Sequence, residues 1–396
     1  MSSAGIAVSI SLINGANVST ISKFDKSLSF SHEEYPIKKR ISSARRIAPR
    51  GDKPYIVNAS AAIIRDKYNT SRIVVFLFTF LFFIIKDKEK KLKRCLVTGG
   101  AGFIGGNLVE RLVRDGYGVR VIDDLSTGKI ENLEGVEGID FIEGDIRNFD
   151  YDILDDVEVV FHQAAQIDVR KSVDDPKYDL DVNVGGTINL LEGVLKSGVK
   201  KIVYASSGGA CYGDPKCLPA DETHPTDPIS PYGASKLSAE KYIRIYSENY
   251  GLSYAILRYG NVYGPKQDPL GEAGVIAIFL NRILNDRKPV IYGDGHQTRD
   301  YVHVADVVES NLLAANKDTR HKIFNVGTGI ETSVNRLVEI ISDVLGKKVV
   351  PEHTKERKGE VRRICLDISL ARKELGFEPE MNLREGIGNV LEWMRR

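Results

Sequence analysis

A chain of 396 residues, 42% hydrophobic and 28% charged, has the composition of an ordinary globular protein, with length for two domains or for one large α/β domain carrying a smaller lobe. Its net charge of +1 hides an asymmetry: residues 1–94 hold 18 Lys/Arg against 7 Asp/Glu, a balance of +11, which leaves −10 for residues 95–396. An acidic body repels a phosphate backbone, so nucleic acid is excluded as a partner.

Residues 1–92 are rich in Ser, Lys and Arg and poor in apolar periodicity. Their one apolar run, 73–85, has 13 residues and is followed by a charged stretch. A helix needs ~17–25 residues to cross a bilayer, so the run is too short to span one. It also lies too far from Met1 to act as a signal peptide. Three readings stand: a disordered basic tail whose apolar run anchors it to a membrane surface, a targeting peptide, or a segment outside the functional protein. The third is preferred, although no methionine lies between Met1 and Met381, so a start near Leu92 requires a non-Met codon. Membrane association is expected only if the 73–85 run acts as an anchor.

From residue 93 the pattern becomes regular. Short β-rich runs at 95–98, 119–122, 141–142, 157–161, 201–205 and 254–257 alternate with helical patterns. That alternation predicts a Rossmann-like, doubly wound parallel sheet with helices on both faces. Beyond about residue 265 the punctuation by Gly and Pro suits a smaller C-terminal α/β substrate lobe. The expected boundaries are 93–264 for the nucleotide-binding domain and 265–396 for the lobe, with about 298–328 returning to the first domain.

The first run leads directly into Gly99, Gly102, Phe103, Ile104 and Gly105, and then into an amphipathic helix through Leu108, Val109, Leu112 and Val113. Strand, glycine turn and helix come in the order a dinucleotide site needs. Gly99 permits the turn, Gly102 lets the backbone approach a pyrophosphate, and Gly105 allows close helix packing. Asp123, 18 residues beyond Gly105, ends the second strand, where a carboxylate accepts from ribose hydroxyls and repels a 2′-phosphate. NAD is therefore expected rather than NADP. Asp145 and Ile146 follow the third strand and suit the adenine end, with a helix N-cap as the equal alternative for Asp145.

Tyr232 and Lys236 lie four apart at the start of a helical pattern and so share one helix face. A free tyrosine is a poor base at neutral pH, and an adjacent ammonium favours its phenolate. Ser206 and Ser207, closing the fifth strand, complete a catalytic group. Cys95, Cys211, Cys217 and Cys365 show neither C-x-x-C spacing nor a histidine at ligand spacing, which reads as free thiols in a reducing cytosol with no metal site.

The glycine turn, Asp123, Asp145, Ser206-Ser207 with Tyr212-Gly213, and Tyr232 with Lys236 together resemble the extended short-chain dehydrogenase/reductase superfamily over roughly residues 93–396. Later motifs at Arg258-Tyr259, Asn261, Tyr292-Gly-Asp294, Arg299-Asp300 and Arg357 to Glu360 are most similar to the nucleotide-sugar epimerases, above all UDP-glucose 4-epimerases. The resemblance implies interconversion of UDP-glucose and UDP-galactose through a 4-keto sugar with tightly held NAD. UDP-N-acetylglucosamine epimerisation and uronate epimerisation or decarboxylation are the alternatives, and a non-catalytic NAD-binding regulator is a distant one.

Under that resemblance Tyr232 is the acid/base, Lys236 holds the nicotinamide ribose, and Ser207 binds the sugar 4-oxygen. Ala164, Ala165, Asn183 and Tyr259 fall at NAD-contacting positions. Asn261, Tyr292, Arg299, Arg357 and Glu360 fall at positions that bind the UDP-sugar, with a salt bridge to Asp300 or Asp306 as the alternative for Arg299. Ser207 lies five residues before Tyr212 where the family has four, so a bulge at Gly208-Gly209 is expected to return it to position. Gly208-Gly209-Ala210 lacks the carboxylate of dehydratases and decarboxylases. Ile364 and Cys365 fall near the sugar 2-substituent. A homodimer and a cytoplasmic location are also expected.

Overall fold

The computed structural model describes residues 94–269, 274–356 and 361–395, together with four strand segments within residues 1–93. The chain divides into two units, Met1–Lys91 and Leu92–Arg396. In the first, β1 (Ser9–Asn14), β2 (Asn17–Ser22), β3 (Arg40–Arg46) and β4 (Ile56–Ala62) pair antiparallel in the order β2-β1-β4-β3. The apolar run 73–85 lies outside the described residues.

The second unit is built on β5 (Arg94–Thr98), whose Cys95, Leu96 and Val97 are all buried. An apolar run without alternation is what a strand covered on both faces requires. Successive side chains still point to opposite sides. Cys95 and Val97 join one core with α1 (Phe103–Arg114), while Leu96 joins the other. Next come β6 (Gly118–Asp123), β7 (Ile139–Glu143) and β8 (Val157–His162). The chain then runs through α2 (Val169–Asp174), α3 (Pro176–Leu180), a π-turn and α4 (Gly186–Ser197) to β9 (Lys201–Ser207). A one-turn helix α5 (Gly208–Tyr212), the long α6 (Pro231–Tyr250) and β10 (Ser253–Tyr259) follow.

After β11 (Asn261–Tyr263), α7 (Val275–Leu284) and β12 (Val290–Tyr292), the chain forms β13 (Thr298–His303). Helix α8 (Val304–Asn316) and β14 (Ile323–Val326) then rejoin the main sheet. β15 (Glu331–Ser333), α9 (Val334–Leu345), β16 (Glu352–Thr354) and α10 (Leu383–Met394) complete the chain.

The seven-stranded sheet has the order β14-β10-β9-β8-β5-β6-β7, with every pair parallel. This is the Rossmann-like doubly wound sheet expected from the alternation of strand and helix patterns. Its strand order reverses between β5 and β8, which opens a crevice beyond their C-terminal ends, where such folds bind ligands. One face packs α1 and α8, the other α4 and α6. A third core, with Phe279, Leu280, Leu337, Ile341 and Leu391, belongs to the lobe.

Candidate active site

The glycine turn and the end of β8 meet at the switch point. Gly99 turns the chain at φ +69°, and a Cβ there would meet the Ala164 backbone at 2.7 Å. At Gly105 a Cβ would stand 2.0 Å from the Gly99 carbonyl, so helix α1 packs directly on the turn. Gly102 is the N-cap in extended conformation, with no side chain to cap the amides of Phe103, Ile104 and Gly105. Those donors face outward at the positive end of a helix dipole, a ready site for a pyrophosphate.

Asp123 is buried. Its Oδ2 accepts from Ala101 N at 2.9 Å and its Oδ1 from Leu125 N at 2.9 Å. Burial raises its pKa, and the two amides work in the opposite sense. A carboxylate has about four acceptor positions, so these bonds leave capacity for hydroxyl donors. Asp145 does not cap a helix. Its carboxylate accepts from the Arg147 amide at 2.8 Å and binds the Arg147 guanidinium at 2.5 Å, which lowers its pKa. Ile146 is buried against Gly186.

Ala164, whose amide donates to Thr98 Oγ1 at 3.2 Å, and Ala165 leave the end of β8 beside Gly99. Asn183 is fully engaged by the fold. Its Nδ2 reaches Gln166 O, Asp179 Oδ1 and Ser235 Oγ at 3.0–3.2 Å, and its Oδ1 accepts from Gln166 N at 2.8 Å. Tyr259 likewise accepts at its hydroxyl from Asn311 at 2.8 Å and Gln163 at 3.3 Å. The Asn183 amide nitrogen is therefore taken up by the fold, whereas the Tyr259 hydroxyl, an acceptor in both of its bonds, keeps its own proton to donate.

Tyr232 stands in the first turn of α6, set there by Ser230 as N-cap and Pro231 in the first helical position. Its amide donates to Ser172 Oγ at 3.1 Å, and the Ser207 hydroxyl acts on its phenol to lower the pKa. Lys236, one turn on, is buried. Its Nζ donates to the Ala205 carbonyl at 3.0 Å and lies 4.9 Å from the centre of the Tyr204 ring.

Burial lowers the Lys236 pKa to about 8, resisted by the charges of Cys211, Asp179 and Glu240. Burial also raises Tyr232 well above the usual phenol value, and only the Ser207 hydrogen bond pulls it down. The ammonium is drawn to Ala205 beneath it, and desolvation dominates the phenol.

The structure separates the two serines. Ser206 Oγ donates to Glu240 Oε1 at 2.5 Å, behind the site, while Ser207 meets Tyr232. The expected bulge is absent. β9 runs unbroken through Ser207, paired with Tyr259, and the extra residue is taken up by α5, whose first turn Ser207 caps through Ala210 N at 3.3 Å.

Two buried groups have partners that the sequence did not indicate, Arg258 of the Arg258-Tyr259 motif among them. Glu240 and Arg258 form a bidentate pair at 2.9 and 2.6 Å, and Arg258 also donates to Tyr212 Oη at 3.0 Å, which donates to Asn325 Oδ1 at 2.8 Å. His162 bridges Thr98 Oγ1 at 2.8 Å and Thr187 Oγ1 at 2.9 Å, and burial lowers its pKa to about 3. It is held neutral. Only the strand register reveals either group, since it places Arg258 beside Ser206 and His162 beside Thr98.

On the lobe side, Asn261 and Tyr292 reach the surface from β11 and β12. Arg299 donates to Thr298 O at 2.8 Å and has no carboxylate partner among the described residues. The alternative salt bridge is not formed. Asp300 instead accepts from the amides of Thr328, Gly329 and Leu366, and Asp306 from those of Glu380 and Met381. Arg357 and Glu360 lie outside the described residues. Ile364 and Cys365 are buried, with Ile364 3.9 Å from where a Cβ on Gly209 would stand. The four cysteines are unpaired. Among the described residues there is no cluster able to hold a metal and no helix long and apolar enough to cross a membrane.

The sheet, its glycine turn and the Ser–Tyr–Lys group at the switch point are those of a Rossmann protein of the short-chain dehydrogenase type. Residues 95–327 match the model of the NAD dependent epimerase/dehydratase family, and the chain belongs to that family. It is 52% identical to the putative UDP-glucose 4-epimerase of Methanocaldococcus jannaschii, over 76% of this chain and 98% of the relative. The solved structure of UDP-glucose 4-epimerase from Thermotoga maritima with UDP-glucose is 46% identical, covers 76% of this chain and 98% of its own, and superposes with a TM-score of 0.73. The Thermus thermophilus UDP-glucose 4-epimerase complex with NAD is 42% identical, covers 76% and 99%, and gives a TM-score of 0.70.

Proposed function

We propose that this protein is a UDP-glucose 4-epimerase, interconverting UDP-glucose and UDP-galactose with tightly bound NAD. The observation that carries the reading is Tyr232 one turn from buried Lys236 on α6, with Ser207 closing β9 ahead of a loop without a carboxylate at Gly208, Gly209 and Ala210. The residues present fit the cofactor, because the Gly99–Gly105 approach leaves no room for side chains and the first-turn amides are uncapped. Amides of Phe103, Ile104 and Gly105 hold the pyrophosphate, Asp123 the adenosine ribose, and Asp145 with Ile146 the adenine end. Ala164, Ala165, Asn183 and Tyr259 line the remainder, and Lys236 holds the nicotinamide ribose.

The chemistry NAD supplies when bound is reversible acceptance of hydride from sugar C4. Tyr232 takes the proton of the 4-hydroxyl and later returns it, while Ser207 hydrogen-bonds the same oxygen. Lys236, as an ammonium, favours the phenolate once ligand has displaced the present contacts. With no carboxylate in the loop there is no group for elimination or for orienting a uronate. Asn261, Tyr292 and Arg299 hold the UDP-sugar, together with Arg357 and Glu360. The Arg299 guanidinium, without a carboxylate partner among the described residues, is available to a diphosphate.

Residues 93–396 carry the activity, and a shortened chain beginning there is expected to turn over substrate like the full chain. The protein is a cytoplasmic homodimer, a reading supported by unpaired cysteines and by exposed Val169, Val173, Leu180, Tyr242 and Ile245 on α2, α3 and α6. The test is incubation with UDP-glucose and detection of UDP-galactose. No turnover with or without added NAD, and none with N-acetylated sugars, sinks the reading.

A further inference from the structure

A short segment outside the group just described, residues 264–268, ties together both chain stretches that flank the glycine turn. It leaves β11 with Gly264 at φ +156° and Lys266 at φ +71°, the latter a left-handed conformation that a lysine keeps only when its contacts over-determine it. The Pro265 carbonyl accepts from Asn107 Nδ2 at 3.0 Å, and the same nitrogen bonds the Phe103 carbonyl at 2.9 Å, in the first turn of α1. Lys266 Nζ donates to the Asn132 carbonyl at 2.8 Å and the Gly106 carbonyl at 3.4 Å, and pairs with Glu110 at 3.0 Å.

Asn132 in turn donates from Nδ2 to Ala101 O at 2.8 Å, and Lys129 N reaches the same carbonyl at 2.9 Å. The Lys129 ammonium pairs with Asp268 at 2.6 Å. The segment therefore bridges the helix after the glycine turn and the stretch after Asp123, and both stretches also hold the turn itself. Lys266 sits where these bonds meet.

We propose that residues 264–268 form a clasp that keeps the glycine turn in its dinucleotide-holding shape and so sets how slowly NAD leaves, with Lys266 as its main positioning residue. The proposal rests on the NAD reading of the turn. It also answers a need of that reading, because a reaction that returns hydride to its own substrate requires the cofactor to stay.

The clasp touches the carbonyl side of α1 and the stretch beyond Asp123, not the outward amides, so its loss leaves the phosphate donors in place. What changes is their mutual positioning, and binding differences between close variants fall mainly in the dissociation rate. A lysine that served folding alone would lower the melting temperature without moving that rate.

The test uses the full chain loaded with radiolabelled NAD and chased with excess unlabelled NAD, with retained label followed by filtration. Lys266→Ala is expected to release label ~10-fold faster at an unchanged far-UV spectrum, and Lys266→Arg to restore release to within ~3-fold of the parent. Asp268→Ala, which removes the pair with Lys129, is expected to be ~2–3-fold faster and keeps the test open if Lys266→Ala fails to fold. Release at the parental rate from a folded Lys266→Ala, or from Asp268→Ala if that is the only folded variant, overturns the clasp. A parent that retains no label overturns the NAD reading and the clasp with it, a different outcome from parent and variants retaining it alike.

Discussion

At the cofactor edge the polar side chains are already committed to the fold: Asp123 to two amides, Asn183 to four bonds, His162 to two threonines, Tyr259 to Asn311 and Gln163. At the nucleotide-sugar edge, Arg299 meets, among the described residues, the carbonyl of its neighbour and no carboxylate, and Asn261 faces solvent. The first edge is preorganised around backbone amides and closed by packing. The second presents side chains that a ligand can take up and release. A cofactor that stays and a substrate that exchanges would call for that division.

The largest expected effect tests whether the rigid edge depends on the buried pair behind Ser206. Arg258→Leu leaves Glu240 buried without its cation, and removing one partner of such a pair costs roughly 3–5 kcal/mol. Urea denaturation should show that loss as a lower midpoint at unchanged slope. A loss below ~1 kcal/mol would mean the pair is not what holds β9 and β10 in place behind the site.

Next comes Tyr232→Phe, which removes the acid/base and nothing else of the cofactor edge. Turnover is expected to fall at least ~10²-fold with NAD content unchanged. Loss of NAD together with turnover would show that the phenol helps hold the cofactor and would blur the division.

Arg299→Gln probes the exchangeable edge. Losing one charge-assisted contact to a diphosphate costs about 1.5–3 kcal/mol, so KM for UDP-glucose should rise roughly 10- to 100-fold with little change in kcat. An unchanged KM would remove Arg299 from the substrate site.

Much of the rigid edge was legible in the sequence because its determinants are local. A positive-φ turn followed by a helix needs glycines at Gly99 and Gly105, and the buried strands need unbroken apolar runs such as Cys95, Leu96 and Val97. What was not legible depends on register. Arg258 lies 18 residues from Glu240, and they meet because β10 is placed beside β9. Ser207 caps a one-turn helix rather than preceding a bulge, and Gly208 at its start packs against Leu366, 158 residues away. The Lys236 partner is the Ala205 carbonyl below it, a contact set by where β9 runs beneath α6. At the exchangeable edge the motifs marked the positions, but Arg299 lacks a salt bridge because Asp300 is spent on amides of a distant loop.

Per pH unit the smallest change is a pH dependence that tests whether the rigid edge costs stability. Lys236 carries a pKa near 8 in the fold against about 10.5 when exposed. Between those values the unfolded chain binds more protons than the folded one, so stability gains from this group as pH rises. Below pH 8 the buried ammonium is present and its full cost applies. Lys236→Met removes the charge, so the variant should be the more stable protein at pH 7. The difference should narrow by no more than about 1.4 kcal/mol per pH unit between pH 8 and 10, followed by denaturant unfolding of both proteins. A variant less stable at pH 7 than its parent would mean that the Ala205 hydrogen bond and the contact with Tyr204 outweigh desolvation, and that Lys236 supports the fold as well as the chemistry.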